Sequence, residues 1–311
     1  MLNKQEKLLV SLSKLKGVGN STLRAVLPDI HNGFSLQEIA SKHSKIRKGI
    51  DSTPNHIELL ELDIEACDRN GVEIISVFND DFPEGLIDSN NSALFLYLKG
   101  NRDLLSRKSL AIIGTRTPDS LASEYAVRIA RYFTNAGVPI LSGLALGCDS
   151  LAHVAALDAG GETIAVMAHG LHTIAPSQNR GLAERIQRSG GLLVSEYAMG
   201  TPPSKFTYVQ RDNTQSALSS AIVLIQSALN GGSLHACRAS LKVGKKVFFL
   251  PPTDPQKIDI NSEVHSGSEG VCSILNLGLA DMNNVVPLSS KDDYSQVLRA
   301  LKILCFWPEK F

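Results

Sequence analysis

The period of the apolar residues changes at Val72, and that change limits the fold more than any single motif. Upstream, Leu8, Leu9, Leu12 and Leu15 share one helical face, and a further helix runs from about His56 to Arg69. Downstream come short, nearly continuous apolar runs: Val72–Val77, Leu94–Leu98, Leu110–Ile113, Val138–Leu141, Thr163–Met167, Leu192–Val194, Ala221–Ile225 and Lys246–Leu250. Helical patterns separate many of them, at Ser120–Asn135, Ser150–Ala159, Asn179–Ser189, Ser233–Val243 and Tyr294–Leu304. Unbroken apolar strands that alternate with helices predict a parallel sheet covered on both faces. The fold class is therefore α/β, a Rossmann-like doubly wound sheet preceded by a small all-helical domain. Boundaries are expected at 1–69 for the helical domain, 70–288 for the sheet domain and 289–311 for a short helical tail. Pro251–Gly270 is polar and reads as a long loop.

Composition excludes several classes. Apolar residues are 43% and charged residues 20% of 311, ordinary for a globular chain. Runs such as Ala93–Leu98 are far too short to span a bilayer, so no membrane partner is expected. Lys4, Glu6 and Lys7 interrupt the start, which does not read as a secretory signal. Cys67, Cys148, Cys237, Cys272 and Cys305 are widely spaced, without CxxC or a Cys/His ligand cluster. That usage fits a reducing cytoplasm and predicts neither a metal site nor a cofactor. The net charge is zero, but residues 1–50 carry nine basic and three acidic groups, residues 51–100 two and eleven, and residues 201–250 six and one. A neutral chain of this kind can still offer local positive surface to a polyanion, or simply solvated faces.

Residues 15–23, Leu-Lys-Gly-Val-Gly-Asn-Ser-Thr-Leu, read as a helix, a glycine turn and a second helix capped by Asn20 or Ser21. The pattern resembles a helix-hairpin-helix (SAM-like) module, whose turn glycines let backbone N–H groups approach a DNA phosphate. Helical hairpins with glycine turns are common, so plain helical packing is the other reading.

In an open α/β sheet, ligands sit at the carboxyl ends of the strands. Three regions have the composition for that. Gly114, Thr115 and Arg116 follow a strand and precede a helix; the N–H groups suit an oxyanion and Arg116 a phosphate. Ser142 and Gly143 begin a second loop that runs through Gly147 to Asp149, a helix cap, and His153, a structural donor or a catalytic group. The third comprises Tyr208–Ser219, then Gly231, Gly232 and Ser233 after the next strand. Arg211, Asn213 and Gln215 supply donors there, and Tyr208 or Phe206 could stack on a base, although core packing suits Phe206 better. No GxxxxGK[ST], GxGxxG, GxSxG or HExxH occurs, which excludes a P-loop NTPase and argues against a nicotinamide dehydrogenase and the common hydrolases.

In this order, these segments resemble the DNA-processing protein A (DprA/Smf) family. The block from Ser142 to His153 is the most specific, supported by 111–116, Gly160–Val166, Ser195-Glu196, Arg211-Asp212-Asn213, Leu218-Ser219 and Gly231–Ser233. Asp80–Pro83 and Leu96–Gly100 resemble the family's lead-in. The resemblance implies an extended Rossmann fold, single-stranded DNA binding without catalysis, homodimerisation and, in transformable bacteria, loading of a RecA-type recombinase; a mobile-element or defence role is the variant. It implies that Arg116 and Arg211 contact phosphates, that Ser142 and Gly143 line the pocket, and that Lys205 lies near its rim. The DNA-binding set expected is thus Gly114, Thr115, Arg116, Ser142, Gly143, Gly147, Lys205, Arg211, Asn213, Gly232 and Ser233.

The chain departs from the family pattern at four places. Arg211-Asp212-Asn213 replaces Arg-Asn-Arg, exchanging positive charge for negative at the proposed DNA edge. Gly147-Cys148-Asp149 replaces Gly-Ile-Asp, and Pro251-Pro252 replaces Pro-Gly. Only 291–311 follows Ser290, so the expectation is a member without the C-terminal winged helix. The alternative is a nucleotide-binding or nucleotide-sensing domain of the same superfamily. Its phosphoribohydrolase branch carries Pro-Gly-Gly-x-Gly-Thr-x-x-Glu, whereas Asn230–Ala236 lacks the glutamate, for which Glu196 is the candidate substitute.

Overall fold

The computed structural model describes residues 2–87, 93–254 and 256–303. Five helices come first: α1 (Lys4–Ser13), α2 (Asn20–His31), α3 (Leu36–Lys42), α4 (Ser44–Ser52) and α5 (His56–Asn70). Asn3 caps α1 and forms a capping box with Glu6. The α1–α2 turn passes through Gly17 at φ +81°, and α2 is capped by Gly19, with Asn20 already helical. A side chain at Gly49 of α4 would sit 3.0 Å from Leu15 Cβ, so α4 lies tightly against that turn. The helical run ends at Gly71, whose left-handed φ of +63° a glycine adopts at little cost.

The remaining elements build one sheet. In chain order they are β1 (Glu73–Ser76), α6 (Glu84–Ile87), β2 (Phe95–Gly100), β3 (Leu110–Ile113), α7 (Ser120–Asn135), β4 (Ile140–Ser142), α8 (Cys148–Asp158), β5 (Thr163–Met167), α9 (Arg180–Arg188), β6 (Leu192–Ser195), α10 (Lys205–Leu218), β7 (Ala221–Leu224), α11 (Leu234–Lys242), β8 (Val247–Phe249), α12 (Ile260–His265), α13 (Gly270–Leu275), β9 (Val285–Pro287) and α14 (Tyr294–Ala300). Among the described residues the sheet has nine strands, in the order β1-β2-β6-β5-β4-β3-β7-β8-β9. β1 and β2 are antiparallel additions, and all pairs from β6 to β9 are parallel. The chain winds outward from β3 in one direction through β6, then returns to β7 on the other side. The order therefore reverses at β3, and the crevice of a doubly wound sheet opens between the β3 and β7 exits.

Alternate residues of each strand face opposite layers. Ala111 and Ile113 face α10 and α11 along with Ile222 and Leu224; Leu110 and Ile112 face α7, α8 and α14. The N-terminal helices share a single buried cluster with Phe95, Tyr97, Met167 and Leu193. The element type thus changes at residue 70, while the core continues across it. Asp63 of α5 ties the two parts: it accepts hydrogen bonds from Tyr97 Oη (2.5 Å) and the Met199 N–H (2.9 Å), and pairs with Lys14.

Three readings of the sequence change. The 208–219 region is the body of a helix, α10. Its buried positions are Thr207, Arg211, Asp212, Thr214, Gln215 and Ser216, so helical spacing is present but written in polar residues. The 251–270 stretch contains α12, capped by Asp259. β9, two valines and a proline, forms an edge strand too short to give a period; Pro287 is tolerated because no strand lies beyond it among the described residues. The predicted C-terminal helix is present as α14, and its last predicted residue, 304, lies outside the described residues.

Replacing Asp63 with Ala leaves the Lys14 ammonium and Tyr97 hydroxyl without their partner in a buried setting. Urea unfolding should show a loss of about 3 kcal/mol; a loss below about 0.5 kcal/mol, the level of a surface change, would refute this junction.

Candidate nucleic-acid interface

The exits of β3, β4 and β7 meet in one pocket of about 370 Å³. It is lined by Gly114, Thr115 and Arg116 from the β3 exit, by Tyr208, Arg211, Asp212 and Gln215 from α10, and by Gly231, Gly232 and Ser233 at the start of α11. Two glycines are needed for the loops to meet. A Cβ on Gly114 would fall 2.6 Å from Cys148 Sγ, and one on Gly147 2.5 Å from the Thr115 carbonyl, with φ at +77° besides. The Thr115 N–H donates to the Gln226 carbonyl at 2.8 Å, pinning the β3 loop to the β7 exit. Gly232 has open space where a side chain would be.

The pocket floor is held by a buried arginine. Arg211 Nη1 donates to the carbonyls of Gly143 (2.8 Å) and Val166 (3.1 Å), and Nε donates to Asp212 (3.1 Å). A Cβ on Gly143 would lie 1.6 Å from Nη1, so only glycine allows the guanidinium to seat there. Asp149, also buried, accepts from the Gly143 N–H at 3.1 Å. The Gln215 amide bridges Asp212 (3.3 Å) and the same N–H (2.9 Å). Burial pushes Asp212 up to about 6 and raises Asp149, with Arg211 opposing both shifts. A carboxylate is costly to keep charged where water is scarce.

At the mouth the arrangement is different. Arg116 is exposed, and its guanidinium lies 5.3 Å from the Tyr208 ring centre. No ion pair engages it among the described residues. An arginine stacked on an aromatic face keeps its donor edge available to a phosphate while the ring remains a platform for a base.

Of the eleven predicted site residues, six line the pocket: Gly114, Thr115, Arg116, Arg211, Gly232 and Ser233. Gly143 and Gly147 stand behind it as packing positions. Ser142 is buried and spends its hydroxyl on the Ile112 carbonyl at 2.6 Å, so it supports the pocket from beneath. Lys205 is exposed in the first turn of α10, outside the lining, and Asn213 donates to Gln210 at 3.3 Å. Phe206 is 68% exposed, against the core position expected for it. His153 is fully buried; its ring donates to Thr163, and burial pushes its pKa down to about 3, which fits the structural reading. Glu196 accepts from Thr214, is pushed up to about 8 by burial, and does not line the pocket. Gln226 and Ser227 were invisible as site residues in the sequence: they are ordinary polar residues after a strand, and only the β3–β7 pairing gives them a role.

The class defined here is a doubly wound α/β protein with an arginine-bearing pocket at its topological switch point. The family model for DNA recombination-mediator protein A matches residues 73–276, so the chain belongs to that family. Protein Smf of Escherichia coli is 31% identical over 70% of this chain and 56% of its own length. DNA processing protein DprA of Streptococcus pneumoniae is 33% identical over 57% of this chain and 62% of its own. The chain thus spans roughly three-fifths of these curated relatives. Among solved structures, DNA processing protein A of S. pneumoniae shares the fold at a TM-score of 0.75 and 24% identity, over 95% of this chain and 98% of that one. That of Helicobacter pylori, described for its single-stranded DNA binding mode, matches at 0.57 and 28%, over 67% and 96%. Among the described residues no helix is long and apolar enough to cross a membrane.

Gly143→Ala and Arg211→Ala should each destabilise the protein by about 3 kcal/mol, one by displacing the guanidinium and the other by deleting it. Because they break one contact, the double variant should lose much less than the sum. Additive losses in urea unfolding would show that Gly143 serves something other than Arg211.

Proposed function

We propose that this chain binds single-stranded DNA at the β3–β4–β7 pocket, as a non-enzymatic recombination mediator in DNA uptake and processing. The observation that carries the reading is the exposed Arg116 stacked on Tyr208 at the pocket mouth. Arg116 would hold a phosphate, Tyr208 a base, and the N–H groups around Gly232 and Ser233 a second oxyanion. Arg211 acts chiefly as a positioning residue, since Nε and Nη1 already serve the protein. Lys205 would guide the strand along the rim. Family membership supports the wider reading, in which the protein is a cytoplasmic homodimer that passes DNA to a RecA-type recombinase. No bond-breaking step is assigned, because Glu196 lies away from the pocket.

Fluorescence anisotropy with an oligothymidylate of about 30 nucleotides tests the site. Binding should weaken steeply with salt, and Arg116→Ala should flatten the log–log slope by about 0.7, the share of one phosphate on a single strand. Tyr208→Ala should cost about 1–3 kcal/mol of affinity. Unchanged binding in the double variant would remove the site. Saturable mononucleotide binding with little salt dependence would favour the nucleotide-sensing alternative.

The pocket should also respond to pH. Phosphodiesters keep their charge between pH 5 and 8, whereas Asp212 takes up a proton as pH falls through about 6. That removes a negative charge beside the phosphate site, so affinity should rise on acidification. In Asp212→Asn the step should vanish, with binding at pH 8 close to that of the parent protein at pH 5. A step of unchanged size in that variant would assign it to another group.

A further inference from the structure

A cavity of about 780 Å³ lies at the opposite edge of the sheet, beneath the amino ends of β3, β7 and β8. Among the described residues six cations line it: Arg107, Lys108, Lys245, Lys246, Arg299 and Lys302. Its acids among the described residues are Asp81 and Glu84. Asp81 is taken by Arg102, which stands outside the cavity and holds the carboxyl below its usual range. The family pocket is balanced by contrast, with Arg116 and Arg211 against Asp149 and Asp212.

The partners of these cations separate structural from spare charge. Arg107 pairs with Glu162 and donates to the Gly137 carbonyl at 3.0 Å. Lys245 spends its three donors on the carbonyls of Ser216 (2.7 Å), Ala217 (3.1 Å) and Ser219 (2.7 Å), closing the C-terminus of α10. No carboxylate pairs with it among the described residues, and burial, then Lys108, pushes it down to about 8. Lys108, Lys246, Arg299 and Lys302 are exposed, and none forms an ion pair among the described residues. Gly244, in the left-handed region at φ +75°, has nothing within 4 Å where a side chain would project, which keeps the rim open. Four spare cations around a concave site that already holds a half-buried ammonium repel one another unless an anion joins them. The span from Lys108 to Gly114 runs along β3, about 20 Å, so the two sites cannot share one phosphate.

We propose that this cavity is a second anion site that takes the phosphate groups of a nucleotide chain or of a free polyphosphate. Its cations suit a polyanion with several phosphates better than a single carboxylate, because they surround a broad opening rather than converge as one fork. The proposal stands apart from the reading of the β3–β4–β7 pocket.

Lysine acetylation of the full chain, quantified by mass spectrometry residue by residue, tests it. The probes are inorganic tripolyphosphate, ATP and an unphosphorylated oligothymidylate. At least one should slow acetylation of Lys108, Lys246 and Lys302 severalfold, with Lys4 and Lys7 unchanged. Protection by the oligonucleotide alone identifies a DNA strand; protection by tripolyphosphate or ATP identifies a free polyphosphate. Charge reversal by Lys246→Glu with Arg299→Glu should abolish protection of Lys108, while Arg116→Ala should leave it intact. The proposal falls if no probe protects the three lysines, if all lysines are slowed alike, or if Arg116→Ala removes the protection. Loss of DNA affinity in Arg116→Ala with the protection retained would leave both sites standing.

Discussion

Arg211 holds the candidate site together. Its guanidinium bridges the carbonyls that follow β4 and end β5, and Asp212 and Asp149 share its field. A buried cation of this kind is stable only with fixed acceptors around it. Gly143 is glycine because the guanidinium occupies the space of a Cβ. Ser142, just before it, turns inward and donates its hydroxyl to the Ile112 carbonyl of the neighbouring strand. The pocket floor is therefore a structural network first, and its contribution to ligand binding is the shape and field it leaves at the mouth.

This network explains the character of α10. A helix against a sheet ordinarily buries an apolar stripe, but α10 buries threonine, arginine, aspartate, glutamine and serine. The layer still closes because Arg211 bonds to strand-end carbonyls, Gln215 to Asp212, Thr214 to Glu196 and Ser216 to Ser240 of α11. Asp212, a departure from the family's Arg-Asn-Arg pattern, is accommodated as an acceptor for Arg211 Nε. Its price is a carboxyl that titrates in the neutral-to-acid range.

Charge is divided between the two edges of the sheet. The carboxyl edge offers one exposed guanidinium on a tyrosine over a neutralised floor. The amino edge gathers cations where helix C-termini, α10 among them, already favour positive charge. Zero net charge conceals this arrangement, and the basic bias of residues 201–250 resolves into parts of both edges: Arg211 at one, Lys245 and Lys246 at the other.

Local pattern was enough for much of the fold. β3, β5 and α7 begin and end where their apolar periods do, and the glycine, arginine and histidine spacing of 111–153 carried the family. Sequence period failed where burial is polar, as in α10, or where an element is too short to show a period, as in β9. The sequence determined which loops leave the sheet, and that Gly114, Arg116 and Gly232 belong to them. Tertiary structure alone decided that Ser142, Lys205 and Asn213 stand off the pocket, that Gln226 anchors Thr115, and that Lys108 and Arg299 share one cavity. Those outcomes depend on which strands become neighbours and on how buried polar groups find acceptors, and both are settled by contacts between residues far apart in the chain.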